Sequence, residues 1–333
     1  MRSSLSSLLA SFTMILGSAA ANAAPCDILE QAGNPCVAAH SVVRGLYETF
    51  DGSLYRVLRA SDNVTQDIGV VSTGGVANAA LQDAFCEDSD CMIDLIYDQS
   101  PMANHLTLGP AGSGIPEPDN GVNASKQPVL LGGSKVYAAV FEGGMGYRND
   151  NTTGIAVDDE PETMYWVIGG KHYNNECCFD YGNAETDNID HGPGTMEAVY
   201  WGSCSRWGSG AGDGPWIMAD LESGIWAGQD SYSPANKPMD ADFVTAMLKG
   251  QAGGFALKGG DAQRGSLTTL YEGGRPEGYE IMSKQGAIIL GIGGDNGNLA
   301  VGTFYEGVIA FGYTSDSTDD AIQESISSAG YGV

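Results

Sequence analysis

The chain has 333 residues, of which 42% are hydrophobic, 17% are charged and 48 are glycine. That apolar fraction supports a packed core and excludes a disordered chain. Acidic residues outnumber basic ones 42 to 15, for a formal charge of −27. A surface with that field repels phosphate backbones and anionic headgroups, so nucleic acid and membrane are poor partners and a neutral or cationic ligand is expected.

Residues 1–23 read as a signal peptide. Arg2 supplies the positive start, residues 8–16 form a short apolar stretch, and Ala21-Asn22-Ala23 offers a small-x-small cleavage site. The stretch is too short for a bilayer span, which needs about 20 apolar residues. Export is therefore expected, with a secreted mature chain over 24–333. Asn63-Val64-Thr65, Asn123-Ala124-Ser125 and Asn151-Thr152-Thr153 are glycosylation acceptors in a eukaryotic source.

Along the chain, residues 41–47 and 76–85 carry short helical periodicity. Residues 109–127 are rich in Gly and Pro and read as a long surface loop. Strand-like runs, β-branched or aromatic and bounded by Gly, Asn or Asp, follow at 136–141, 164–168, 196–200 and 216–218. Residues 240–248 suggest another helix, 286–292 and 303–311 further strands, and 319–329 a last helix. The expected fold is all-β: two sheets packed face to face in one domain over 24–333, with long loops and a few short helices.

Seven cysteines suit an oxidising compartment. Short spacing favours local disulfides between Cys26 and Cys36 and between Cys86 and Cys91. Zinc competes poorly, because no C-x-x-C pair or second His/Cys cluster accompanies them. Cys177-Cys178 is unusual. Adjacent Cα atoms lie about 3.8 Å apart, below the usual disulfide range of roughly 4.4–6.8 Å. The alternatives are two thiols side by side or an eight-membered ring; in an exported chain whose other cysteines pair locally the ring is favoured. Cys204 is then left over, as a buried thiol or an intermolecular partner.

All five tryptophans (Trp166, Trp201, Trp207, Trp216 and Trp226) fall within one stretch of 61 residues. Trp166 and Trp216 read as core. Trp207 and Trp226, beside Gly and polar residues, are better candidates for a platform under the C–H face of a sugar. Two carboxylates stand in suggestive surroundings. Glu222 follows a Gly/Pro turn and an alternating strand, on which Asp220 and Glu222 share a face. Asp295 follows a buried-type strand opening into a Gly turn, a place for a raised pKa. Most other carboxylates are surface charges. No G-x-S-x-G, no H-E-x-x-H and no EF-hand loop is present, and Gly291-Ile292-Gly293-Gly294-Asp295-Asn296 breaks G-x-G-x-x-G at its last position. The expectation is no metal and no cofactor.

These residues resemble a known family. Pro25-Cys26-Asp27-Ile28, Pro35-Cys36-Val37-Ala38-Ala39-His40-Ser41, Ile96-Tyr97-Asp98-Gln99-Ser100 with Asn104-His105-Leu106, His172-Tyr173-Asn174, Cys177-Cys178-Phe179-Asp180-Tyr181-Gly182-Asn183-Ala184-Glu185, residues 212–220 and residues 286–296 are similar, in the same order, to the catalytic domain of glycoside hydrolase family 54. The resemblance implies secreted α-L-arabinofuranosidases with a β-sandwich related to concanavalin-type and glucanase folds. It implies retention of anomeric configuration and exo removal of terminal arabinofuranose from arabinan or arabinoxylan. By the same resemblance Glu222 matches the nucleophile and Asp295 the general acid/base. Cys177-Cys178 matches a vicinal disulfide under the sugar and Trp207 an aromatic wall. Asp220 and the Gly294 backbone match groups that bind furanose hydroxyls. Ser223-Gly224 occupies substrate-binding positions where familiar members read Asn-Asn, which opens the question of sugar choice. A C-terminal arabinose-binding module of familiar members has no counterpart up to Val333, so weaker retention on insoluble polysaccharide is expected.

The mechanism implied needs Asp295 protonated and Glu222 ionised when substrate binds. The expected partner is an arabinofuranose-containing oligo- or polysaccharide, and the expected state a monomer. The rival readings are a lectin-like module that binds glycans without cutting, a furanosidase for another sugar, and, last, a thiol-redox protein.

Overall fold

The computed structural model describes residues 23–333. The expected signal peptide therefore lies, apart from Ala23, outside the described residues.

Two large sheets form the body. One has the strand order Thr268–Gly274, Gly254–Asp261, Phe243–Gln251, Glu162–Gly169, Gly302–Phe311, Ser134–Phe141, Gln127–Leu131, with Cys36–Ser41 also pairing Gly302–Phe311. The other runs Ile225–Trp226, Trp216–Asp220, Glu197–Gly202, Asp180–Ala184, Ala287–Leu290, Tyr147–Asn149, Leu106–Leu108, Cys91–Ile96, Ser53–Arg59, Thr65–Gly69. Every pairing within them is antiparallel, which suits a sandwich joined by turns and loops. Aromatic rings span the gap: Trp166 of the first sheet stacks on Phe179, with centroids 4.8 Å apart, and on Tyr181 of the second at 6.1 Å. Trp166 and Trp216 are core residues as expected.

The helices among the described residues are short: Pro25–Gln31, Ala79–Phe85 and Asp316–Ser328. The last begins three residues before the position expected from periodicity. Ser315 caps it by accepting from the Thr318 amide, and Asp316 and Asp319 in the first turn complement the helix dipole.

Two expected helices are absent. Residues 240–248 contribute to the central strand Phe243–Gln251. Their apolar residues mimic helical spacing because a strand covered on both faces loses its alternation. Residues 42–47 leave the strand Cys36–Ser41 as irregular backbone, where Ser41 Oγ accepts from the amides of Val43 and Arg44 and so draws the chain away from helical bonds. The disulfides Cys26–Cys36, Cys86–Cys91 and Cys177–Cys178 are all formed, and Cys204 is a buried free thiol beside Tyr200 and Trp216.

Candidate active site

At one end of the second sheet lies a cavity of about 250 Å³ lined by Cys177, Cys178, Trp207, Asp220, Glu222, Ser223, Gly224, Gly294 and Asp295, with Gly114, Ile115, Glu176, Asp190 and Arg206 among its other walls. The structure thus brings these residues, each singled out from the sequence, into one pocket, and leaves Trp226 outside it.

Asp220 ends the strand Trp216–Asp220, opposite Ala198 on one side and Ile225 on the other. Glu222 shares the pocket with it, but not by strand alternation as expected. The strand has already stopped, and Glu222 and Ser223 take left-handed backbone conformations, φ 62° and 56°. Two consecutive non-glycine residues in that region mark a backbone held by its surroundings. The turn is fastened by the Leu221 amide donating to Gly224 O (3.1 Å), the Glu222 amide to Asp220 Oδ1 (3.1 Å), and the Tyr279 hydroxyl to Glu222 O (2.8 Å). No side chain fits at Gly224, where a Cβ would stand 2.6 Å from Trp226 Nε1 and 2.9 Å from the Tyr279 hydroxyl. That contact also corrects the reading of Trp226: it sits behind Gly224 against Tyr279 and is no part of the cavity wall. Trp207 does line the cavity, 38% exposed, with the Arg206 guanidinium 5.0 Å from its ring centre.

Asp295 stands on the turn after the strand Ala287–Leu290. Gly291 supplies a positive φ of 81° to leave the strand, and Gly293 donates to Gly297 O at 2.9 Å to close the turn. The Gly297 amide donates to Asp295 Oδ1 at 3.0 Å. The long loop 109–127 packs on this turn: Gly114 N donates to Asp295 O at 2.8 Å, and Asn296 Nδ2 reaches Glu117 O at 3.3 Å. The bridged sulfurs are tied to the same turn, since Cys178 N donates to Gly297 O (3.1 Å) and Leu299 N to Cys177 O (3.3 Å). Cys178 Sγ lies 3.5 Å from Asp220 Oδ2. A bridged sulfur carries no proton, so this is a packing contact. Cys177, Cys178 and Asp220 form the one His/Cys/Asp/Glu cluster of metal-ligand size among the described residues. Sulfurs bonded to each other supply no thiolate for a metal.

Sequence reasoning missed a second tier of acids. Asp180 is fully buried, and burial and the adjacent Asp220 raise it well above the ordinary carboxyl range. Both Asp180 carboxyl oxygens lack a hydrogen-bond partner, and they back Asp220, itself pushed up to about 7 chiefly by burial. Glu185, also fully buried, stands behind Glu222. Burial, then Asp220 and Glu185, push Glu222 up to about 10. Burial and the crowding of like charges both oppose ionisation of Glu222. Arg148 threads between the tiers, donating to Gly294 O at 2.9 Å and Glu185 O at 2.5 Å, and pairing Asp150 at 2.6 Å. Asp180 and Glu185 were legible only as acids inside an otherwise apolar and aromatic run.

A two-sheet sandwich with paired acids around a sulfur- and tryptophan-walled pocket is the build of a sugar-handling domain. Comparison with known proteins gives the particular family. The family model for "Alpha-L-arabinofuranosidase B, catalytic" matches residues 25–332, and the chain belongs to that family. Alpha-L-arabinofuranosidase B of Aspergillus niger is 51% identical over 321 residues, 94% of this chain and 64% of that protein. The Emericella nidulans relative of the same name is 52% identical over 339 residues, 99% of this chain and 66% of that protein. The chain thus spans about two thirds, or slightly less, of the length of these curated relatives. Among solved structures, an arabinofuranosidase complexed with arabinofuranosyl-alpha-1,2-xylobiose superposes with a TM-score of 0.91 at 50% identity, over 93% of this chain and 66% of that one. A GH54 α-L-arabinofuranosidase soaked with a cyclic sulfate inhibitor matches with the same TM-score at 51% identity, over 92% and 66%. The β-sandwich expected from the sequence is therefore the fold.

Proposed function

We propose that the protein is a secreted, retaining exo-α-L-arabinofuranosidase that removes terminal arabinofuranose from arabinan- or arabinoxylan-type chains. The observation that carries this reading is the meeting of Glu222 and Asp295 in one cavity walled by the Cys177–Cys178 bridge and Trp207. Glu222 attacks the anomeric carbon while Asp295 protonates the departing oxygen; Asp295 then takes a proton from water as the glycosyl ester is hydrolysed. Retention requires the two carboxyl groups about 5–5.5 Å apart across the sugar. Asp220 and the Gly294 backbone hold the furanose hydroxyls, and the apolar sulfur surface packs against the ring.

Sugar choice rests on Ser223 and Gly224. With no room for a side chain at Gly224, this rim offers only the Ser223 hydroxyl and backbone groups to the ligand. A panel of 4-nitrophenyl furanosides and pyranosides tests the reading. Hydrolysis of the α-L-arabinofuranoside, with the first-formed sugar of retained configuration by proton NMR, is expected. Glu222→Gln and Asp295→Asn should each abolish turnover of unactivated substrates while the fold persists. Binding without cleavage across the whole panel would reduce the protein to a lectin-like sandwich.

A further inference from the structure

We propose that Glu185 is the positioning partner of Glu222: a proton shared by the two carboxyl groups rests on Glu185 when substrate is bound. This leaves Glu222 ionised for attack and gives its departing carboxylate a hydrogen-bond donor. The inference rests on the arabinofuranosidase reading, in which Glu222 is the nucleophile.

Glu185 follows the strand Asp180–Ala184 and is completely buried. Its Oε1 accepts from the Thr195 hydroxyl at 2.5 Å, while its Oε2 has no hydrogen-bond partner and no access to solvent. That orphaned oxygen points at the nucleophile. A Cβ built on Gly294 would stand 2.1 Å from Glu185 Oε2 and 2.9 Å from Glu222 Oε2, so both oxygens crowd the same bare Cα. The two oxygens are thus at most about 5 Å apart, and the charge of Glu185 helps push Glu222 up. Two ionised carboxylates are acceptors only, so a hydrogen bond between them requires a proton.

The charged groups around the pair leave that proton nowhere better to go. Asp220 and Asp190 face Glu222, and Asp295 stands across the cavity. Asp180 backs Asp220. The cation packed against the pair, Arg148, is engaged by the carbonyls of Glu185 and Gly294 and by Asp150. The Tyr279 hydroxyl donates to the Glu222 carbonyl, not to its carboxylate. In the first step a Glu222 oxygen bonds the anomeric carbon, and the glycosidic oxygen leaves with its electron pair and the Asp295 proton. In the second, water bonds that carbon and gives a proton to Asp295, and the electron pair returns to Glu222. The Glu185 proton is not consumed; it hydrogen-bonds the carboxylate that reappears.

The test is carbon-13 NMR of the chain labelled at glutamate carboxyls, with Glu222 identified by its loss in Glu222→Gln. In the wild type, Glu222 should titrate in two steps, the upper one belonging to the pair. Glu185→Gln should abolish the upper step, so that Glu222 completes its ionisation at least about one pH unit lower. An upper step that survives in Glu185→Gln overturns the proposal. Should that variant not fold, Thr195→Val removes the donor to Glu185 and should move the upper step to higher pH; an unmoved step there overturns it equally. No turnover is needed for this readout, so a wild type inactive on arabinofuranosides would sink the function while the pair is still measured. In an active enzyme, kcat should fall further in Glu185→Leu than in Glu185→Gln, with KM little changed. Equal losses, or losses confined to KM, would mark a merely structural role and overturn it.

Discussion

Gly294→Ala adds one methyl at the most crowded point of the site. The backbone tolerates alanine, because Gly294 lies outside the positive-φ set. The space does not. Ordinary contact begins at 3.4 Å, whereas the new Cβ would stand 2.1 Å from Glu185 Oε2 and 2.9 Å from Glu222 Oε2. The buried Glu185 oxygen must therefore retreat by about 1.3 Å and the Glu222 oxygen by about 0.5 Å, by difference from that contact distance. Overpacking of this kind costs about 1–3 kcal/mol, equivalent in a chain of this size to a Tm lower by about 2–5 °C. Misplacing a reacting group by about 1 Å costs about a hundredfold in rate, so the shift of about 0.5 Å at Glu222 should cost about tenfold. The assay is kcat/KM on 4-nitrophenyl α-L-arabinofuranoside alongside calorimetric Tm. A variant within threefold of wild type, melting at the same temperature, would refute the account of how Glu185 and Glu222 are packed.

Three other outcomes follow from the structure. Burial raises Asp119 to about 6 and Asp220 to about 7, above the unfolded value of about 3.9. The folded chain thus binds more protons than the unfolded one between about pH 4 and 7, and stability should fall as pH rises through that window; a Tm higher at pH 8 than at pH 5 would contradict this. Trp207→Ala should raise KM about tenfold while leaving Tm within about 1 °C, because the ring walls the cavity yet is well exposed; calorimetry and saturation kinetics separate the two effects. Lys284→Met leaves Glu162 and Glu197, respectively 2.8 and 2.9 Å from Lys284 Nζ, without their shared cation. The loss should be about 3–5 kcal/mol, seen in denaturant titration, and a loss under about 1 kcal/mol would show that Arg275, 2.9 Å from Glu197, suffices.

Some strands were legible where an apolar run is fenced by glycines, as at Ser134–Phe141 and Ala287–Leu290, but Gly254–Asp261 and Cys91–Ile96 were not. Nor was Phe243–Gln251, since burial on both faces erases the alternation, and its polar Lys249 is answered by groups far along the chain, Thr314 O and Asp319. Helix Pro25–Gln31 escaped notice because it is a single anchored segment tied by the Cys26–Cys36 bridge, too short to show periodicity. Within the site, Asp220, Glu222 and Asp295 stood out by their glycine surroundings. For Glu222 the orientation was right and the cause wrong, because a left-handed turn cannot be read from strand spacing. Asp180 and Glu185 act through partners that only the pairing of strand Asp180–Ala184 with Glu197–Gly202 and Ala287–Leu290 brings near. Nothing local announces such proximity.

The loop over residues 109–127 has a kinetic consequence. Its backbone is committed to the acid-bearing turn, through Gly114 N to Asp295 O and Asn296 Nδ2 to Glu117 O, and to Asn188 O through the Ser113 amide at 2.9 Å. A flap spent in this way cannot swing open without dislodging Asp295, which it braces. Ligand capture should then resemble docking into a rigid socket, with single-phase association and no slow gating event. Slow hydrogen exchange at the Gly114 amide, alike with and without sugar, would be its signature.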